Sequence, residues 1–165
     1  MRKYFLFLLL LSPFVLNAQT AEEDYPTGKI HRSVFFNKAN KETYEPGYEK
    51  YTPNADAVKF IKSKKGKFQL KMVMGFWCDD SKMYVPHLLK TLEEAKWDTE
   101  DNDQLKIFGV DINKEAGFEG FKALNITKVP TIIVYYNDRE IGRIEESPKI
   151  TIEEDLVKIM KSIEN

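Results

Sequence analysis

The run Gln69-Leu70-Lys71-Met72-Val73-Met74-Gly75-Phe76 passes directly into Trp77-Cys78-Asp79-Asp80-Ser81-Lys82-Met83-Tyr84-Val85-Pro86, and this junction decides the fold. The first run is mostly apolar and follows the Lys64-Lys65-Gly66 turn signal, so it reads as a buried strand. From Asp79 onward the apolar residues Met83, Val85, Leu88, Leu89, Leu92 and Ala95 recur with helical period as far as Lys96, and Pro86 inside them predicts a kink. Cys78 therefore stands where a strand hands over to the first turn of a helix.

Working outward, Asn54 or Asp56 caps a helix to about Lys64, with Ala57, Val58, Phe60 and Ile61 at helical spacing. Leu105 to Ile112 reads as a second buried strand and Glu115 to Leu124 as a short helix. Thr131 to Tyr136 is β-branched and aromatic, and Asn137-Asp138 turns it into Arg139 to Ile144 as an antiparallel hairpin. A last helix covers Thr151 to Ser162. Strands alternating with helices predict an α/β domain over residues 54–165, a central mixed sheet flanked by helices on both faces. Residues 19–53 read as an irregular N-terminal extension with one alternating, strand-like patch at Lys29 to Phe36.

The chain's 165 residues suit one substantial core. Its start, Met1-Arg2-Lys3 followed by the apolar run Tyr4 to Leu11 and a small residue at Ala18, has the pattern of a secretory signal peptide over residues 1–18. Ser12 and Pro13 interrupt the apolar run before the roughly 20 residues that span a bilayer, which argues against a stable membrane anchor. Export to the periplasm or the medium is the expectation. Cleavage after Ala18 removes Arg2 and Lys3 and no acid, leaving 23 bases against 26 acids, a formal −3 that speaks against nucleic acid.

Oxidising compartments favour paired cysteines, yet the chain has one. A lone cysteine is ordinarily a small buried hydrophobe, but the surroundings of Cys78 point elsewhere. The unsatisfied N–H groups and positive dipole end of a helix start favour the thiolate, which is the nucleophile. Asp79 and Asp80 oppose a second negative charge, although their simplest role is helix-start chemistry. Lys82 is expected to point into water. Ser81 sits one turn after Cys78; its hydroxyl can hydrogen-bond a thiolate but cannot attack a disulfide as a sulfur does. His87 is expected at the surface, too far along the helix to serve the thiol. One thiol with scattered acids makes no metal site, and no cofactor is implied.

Trp77-Cys78-Asp79-Asp80-Ser81-Lys82-Met83 with Pro86 resembles the active-site stretch of the thioredoxin family, where Trp-Cys-x-x-Cys-Lys-Met precedes a helix-kinking proline at this spacing. Ser81 replaces the second cysteine. Val129-Pro130-Thr131 resembles the family's cis-proline loop, and the strand with Glu140-Ile141-Gly142-Arg143 resembles its closing hairpin. The resemblance covers about residues 54–163. It implies a thioredoxin-like fold and a groove in which Trp77, Val129 and Pro130 bind substrate beside Cys78. A tight turn at Pro130 leaves backbone groups of Val129 free to pair with a peptide. Thioredoxins also carry a buried acid six positions before the first cysteine; this chain has Met72. Losing the acid together with the second cysteine implies that the reductase cycle is absent.

These readings lead to a monothiol redox protein in which Cys78, assisted by Ser81, exchanges with protein or low-molecular-weight disulfides in isomerase-like or deglutathionylating chemistry. Its partners are disulfide- or thiol-bearing proteins and an external recycling thiol. The alternative is a catalytically inactive peptide- or protein-binding module on the same fold. A homodimer linked through Cys78 is a further expectation.

Overall fold

The computed structural model describes residues 25–100 and 103–163; the signal-peptide stretch expected over residues 1–18 lies outside them. In chain order the elements are β1 (Gly28–Ile30), a 3-10 turn (Arg32–Phe36), α1 (Lys41–Lys50), α2 (Ala55–Ser63), β2 (Phe68–Met74), α3 (Asp79–Glu94), β3 (Leu105–Gly109), a 3-10 turn (Phe121–Leu124), β4 (Thr131–Tyr136), β5 (Arg139–Glu145) and α4 (Ile152–Lys161).

One mixed sheet has the order β1-β3-β2-β4-β5. β2 runs parallel to β3 through the crossover α3, and antiparallel to β4 on its other side. A strand with neighbours on both sides and layers above and below is buried on both faces, which explains the nearly unbroken apolar run of β2. Its alternation sorts the core. Leu70, Met72 and Met74 pack with residues of all four α-helices, including Tyr44, Ile61, Leu88 and Leu156. Val73 points the other way, into a smaller cluster with Val110, Phe121 and Val129, so the segment between β3 and β4 and its 3-10 turn cover the opposite face.

Local chemistry sets the boundaries. Asn54 accepts from the N–H groups of Asp56 and Ala57 at 3.0 and 3.1 Å, starting α2, and Thr151 does the same for α4 through Glu154 N–H at 3.3 Å. Asn137 and Asp138 both take positive φ, 48° and 60°, the geometry that joins tightly paired strands, and Tyr136 pairs with Arg139 across the turn.

The segment expected to be an irregular extension is instead part of the core. Of the strand-like patch Lys29 to Phe36 only Lys29 and Ile30 are strand, as the end of β1, which pairs antiparallel with β3. Gly109 permits this, because a Cβ there would lie 2.3 Å from the Pro26 carbonyl oxygen. Phe35 is fully buried, stacked 5.7 Å from Phe76 and tilted against Tyr44 of α1 at 5.0 Å. Arg32 bridges to Glu93 of α3 at 2.5 Å and lies over the rings of Phe36 and Tyr48. Glu153 of α4, 1% exposed, accepts from Tyr51 Oη at 2.7 Å and from Asn54 N–H at 2.9 Å, tying the end of α1 and the start of α2 to the last helix.

Two other expectations are corrected. The helix expected over Glu115–Leu124 shrinks to the 3-10 turn, since Gly117 and Gly120 adopt φ of +73° and +84°, outside helical space. His87 is not a free surface group: it is half-buried, stacked face-on against Tyr51 at 3.8 Å and edge-on to Tyr84 at 6.0 Å. Burial lowers its pKa from the usual 6.5, with Glu153 opposing in part. The unfolded chain then binds the proton more readily than the folded one, so the histidine's contribution is intact above about pH 6.5 and falls as the pH drops below it. Wild type should lose stability relative to His87→Phe between pH 7 and pH 5, measured as paired urea denaturations at each pH.

Candidate functional site

Cys78 is the residue before the first turn of α3, with extended backbone (φ −88°, ψ 123°) and no side-chain cap bond. Its N–H bonds the Gly75 carbonyl at 3.1 Å and its carbonyl receives the Lys82 N–H at 3.0 Å, which fixes the turn out of β2. The half-buried thiol donates to the Val129 carbonyl at 3.2 Å, spanning 51 residues of sequence. The Val129-Pro130 peptide bond is cis. Its loop is held by Thr131 Oγ1, which donates to the Lys128 carbonyl at 2.7 Å, and by Glu146 N–H, which donates to the Pro130 carbonyl at 2.7 Å.

Trp77 is half-buried, and its indole N–H donates to the Val110 carbonyl at 3.2 Å. The ring lies so close over Gly75 that a Cβ there would stand 2.6 Å from it. Ser81 is fully buried, and its hydroxyl accepts from Gly75 N–H at 3.2 Å. The structure thus brings Trp77, Cys78, Val129 and Pro130 together, and places Ser81 beneath them with its oxygen engaged by the backbone. Met72 is fully buried on β2, so no acid stands at that position.

An open groove of about 330 Å³ runs past the thiol, lined by Trp77, Cys78, Asp80, Lys114, Thr127 and Val129. Its rim carries an ion pair that sequence spacing does not reveal, Lys128 to Glu146 at 2.6 Å. Asp79, expected to burden the thiolate, is 95% exposed at its side chain and paired with Lys82 at 2.9 Å, so an ammonium and water answer its charge. Lys82 is correspondingly not simply solvated. Val129 N–H makes no hydrogen bond among the described residues and lies beside the groove.

The parallel β2–α3–β3 crossover with Cys78 at its strand-to-helix joint, flanked by the antiparallel β4–β5 hairpin that begins just after Pro130, decides the architecture. The fold is thioredoxin-like. No protein-family model and no curated protein matches the sequence. Among solved structures, a protein of unknown function from Pseudomonas aeruginosa is similar with a TM-score of 0.61 and 10% identity, over 82% of this chain and 93% of its own. An HIV epitope scaffold gives 0.60 and 11%, over 81% and 93%. A thioredoxin pre-protein from Schistosoma mansoni is 27% identical over 64% of this chain and 90% of its own, with a TM-score of 0.39.

Tyr44 is a buried polar core residue that sequence reasoning did not single out. It lies in α1, 2% exposed, and its hydroxyl has no hydrogen-bond partner among the described residues. Burial pushes the phenol's pKa well up, and the charge of Cys78 pushes it further the same way. No sequence signal marked it, because its segment lacks a helical apolar stripe. Among the described residues no group of three or more His, Cys, Asp or Glu side chains is placed to hold a metal, and no helix is long and apolar enough to cross a membrane.

Proposed function

We propose that this is an exported protein of monothiol disulfide exchange, acting in the periplasm or the medium. The observation that carries the reading is the placing of Cys78 at a helix start beside an open groove and the cis Val129-Pro130 loop, with buried Ser81 where a second sulfur would resolve the product. The Cys78 thiolate attacks one sulfur of a substrate disulfide, forming a mixed disulfide, and the substrate's other sulfur leaves as thiolate. A thiol from outside the chain, or the substrate's own, then attacks the substrate sulfur of the mixed disulfide, and Cys78 leaves as thiolate. No net oxidation of the protein occurs over the cycle, which suits isomerase-like or deglutathionylating chemistry.

Trp77 supplies an apolar wall for the substrate, and Val129 N–H supplies a backbone donor to which an extended substrate segment can pair. The Val129 carbonyl is available only when the thiol gives up its bond.

Incubation of the protein lacking residues 1–18 with glutathione disulfide should add one glutathione, at Cys78, as read by intact mass and peptide mapping. Added free thiol should remove it, and Cys78→Ser should take up none. Peptide binding in the groove without any adduct would instead support the binding-module alternative. A covalent dimer on nonreducing electrophoresis would show that Cys78 pairs with a second copy.

A further inference from the structure

The groove beside Cys78 carries Asp80, Lys114, Lys128 and Glu146 among its lining residues. Lys128 and Glu146 answer each other at 2.6 Å. Asp80, half-buried in the first turn of α3, and Lys114, half-buried in the segment after β3, make no side-chain hydrogen bond or ion pair among the described residues, with each other or with a third group. Local structure calls for neither charge. The turn at Lys114 is held by its backbone and by Asp111: Lys114 N–H donates to the Asp111 carbonyl at 3.0 Å, and Asp111 Oδ1 accepts from the N–H groups of Asn113 and Glu115, each at 2.9 Å. Lys114 takes φ of +63° there, a conformation in which glycine or asparagine is the ordinary occupant, so the turn does not ask for lysine. Asp80 suits a helix start, but it caps no N–H group, and Asp79 already supplies an acid to that turn.

Two opposite charges that line one groove without touching leave room between them for a group that carries both signs. An ammonium placed there meets Asp80 and a carboxylate meets Lys114, each through a charge-assisted hydrogen bond. A residue within a protein strand has its amino and carboxyl groups tied up in peptide bonds, whereas a free amino acid keeps both charged. The groove's volume of about 330 Å³ also falls within the range of roughly 300–1,000 Å³ for small-molecule sites. Resting on the monothiol reading, we propose that the substrate of Cys78 is a low-molecular-weight disulfide of an amino-acid thiol, cystine being the simplest, held by its carboxylate at Lys114 and by its ammonium at Asp80. The Cys78 thiolate bonds to the sulfur of the held half, the bond between the two substrate sulfurs breaks, and the other half leaves as a thiolate. An external thiolate then bonds to the held sulfur, and Cys78 departs with its electron pair.

The test measures mixed-disulfide formation at Cys78 with cystine, with cystamine, which has only the ammonium groups, and with dithiodipropionate, which has only the carboxylates. Acid-quenched samples are read by intact mass, and each rate is divided by that of the same disulfide with mercaptoethanol. Wild type should take up cystine about fivefold faster than either of the others, the worth of one ion pair at a partly exposed site. Lys114→Gln should abolish the advantage over cystamine and keep that over dithiodipropionate, Asp80→Asn should do the reverse, and Lys114→Arg should keep both. Each ratio compares two disulfides on the same thiol, so a change in the reactivity of Cys78 itself cancels. Equal normalised rates in wild type, or a preference for a disulfide of one charge, overturn the proposal and leave the monothiol reading standing. A cystine preference that survives both neutral variants overturns the assignment to Lys114 and Asp80. Wild type that forms no adduct with any of the three removes the monothiol reading and the proposal together.

Discussion

Phe35→Ala should cost the protein about 3–5 kcal/mol of stability, the range for deleting a fully buried aromatic ring from a core that closes incompletely around the gap. Phe35 is 0% exposed and its ring packs against both Tyr44 and Phe76, so the cavity would open at the junction of the N-terminal segment, α1 and the strand-to-helix turn that carries Cys78. Against a typical total of 5–15 kcal/mol, such a loss leaves many domains partly unfolded at ambient temperature. Urea denaturation of wild type and variant measures it, with Ile150→Ala as a control; Ile150 is 69% exposed and its change should stay within about 0.5 kcal/mol. A negligible effect of Phe35→Ala would mean that residues 25–52 are an appendage after all.

Ser81→Cys should change the kind of chemistry rather than its rate alone. The new thiol would stand one helical turn from Cys78, so release of a mixed disulfide becomes intramolecular, at an effective concentration on the order of mM. With external thiol at about 10 μM, release should speed up roughly 100-fold. The air-oxidised variant should expose no free thiol, where wild type exposes one. Stopped-flow release and thiol titration read both outcomes. Buried Met72 puts a limit on the gain, because no acid stands at that strand position to take the proton of the resolving thiol. A variant that keeps two free thiols and wild-type release would show that the side chain at position 81 cannot reach the mixed disulfide.

The parts of the fold legible in the sequence are those where one physical signal dominates. β2 is an apolar run bounded by turn residues, α3 has an unbroken helical stripe from Met83 to Leu92, and the β4–β5 hairpin announces itself through Asn137 and Asp138. The N-terminal segment was illegible because its anchors are single residues in polar surroundings. Phe35 and Tyr44 carry the packing, and α1 holds Pro46 and Gly47 in its interior, each of which argues against a helix. Tertiary contact with α3 overrides that preference, and the missing Cβ of Gly47 is what lets Pro86 come close. The region after β3 failed in the opposite sense: its composition suits a helix, but two glycines in left-handed conformation break it.

The candidate site follows the same division. Trp77, Cys78, Val129 and Pro130 were readable because short spacings hold them, and the fold brings the two stretches together across 51 residues. The Lys128–Glu146 pair was not, because only the folded chain places it at the groove. His87 looked like a surface residue until Tyr51, from a segment read as irregular, was found stacked upon it.

Whether Cys78 alone turns over disulfides is decided by the deglutathionylation of a model peptide carrying a glutathione mixed disulfide, with glutathione in excess and the protein at one-hundredth of the peptide. Many turnovers per protein molecule are expected, at a rate proportional to protein concentration, and none above background with Cys78→Ser. A rate indistinguishable from glutathione alone would contradict this and leave the groove as a binding site without exchange chemistry.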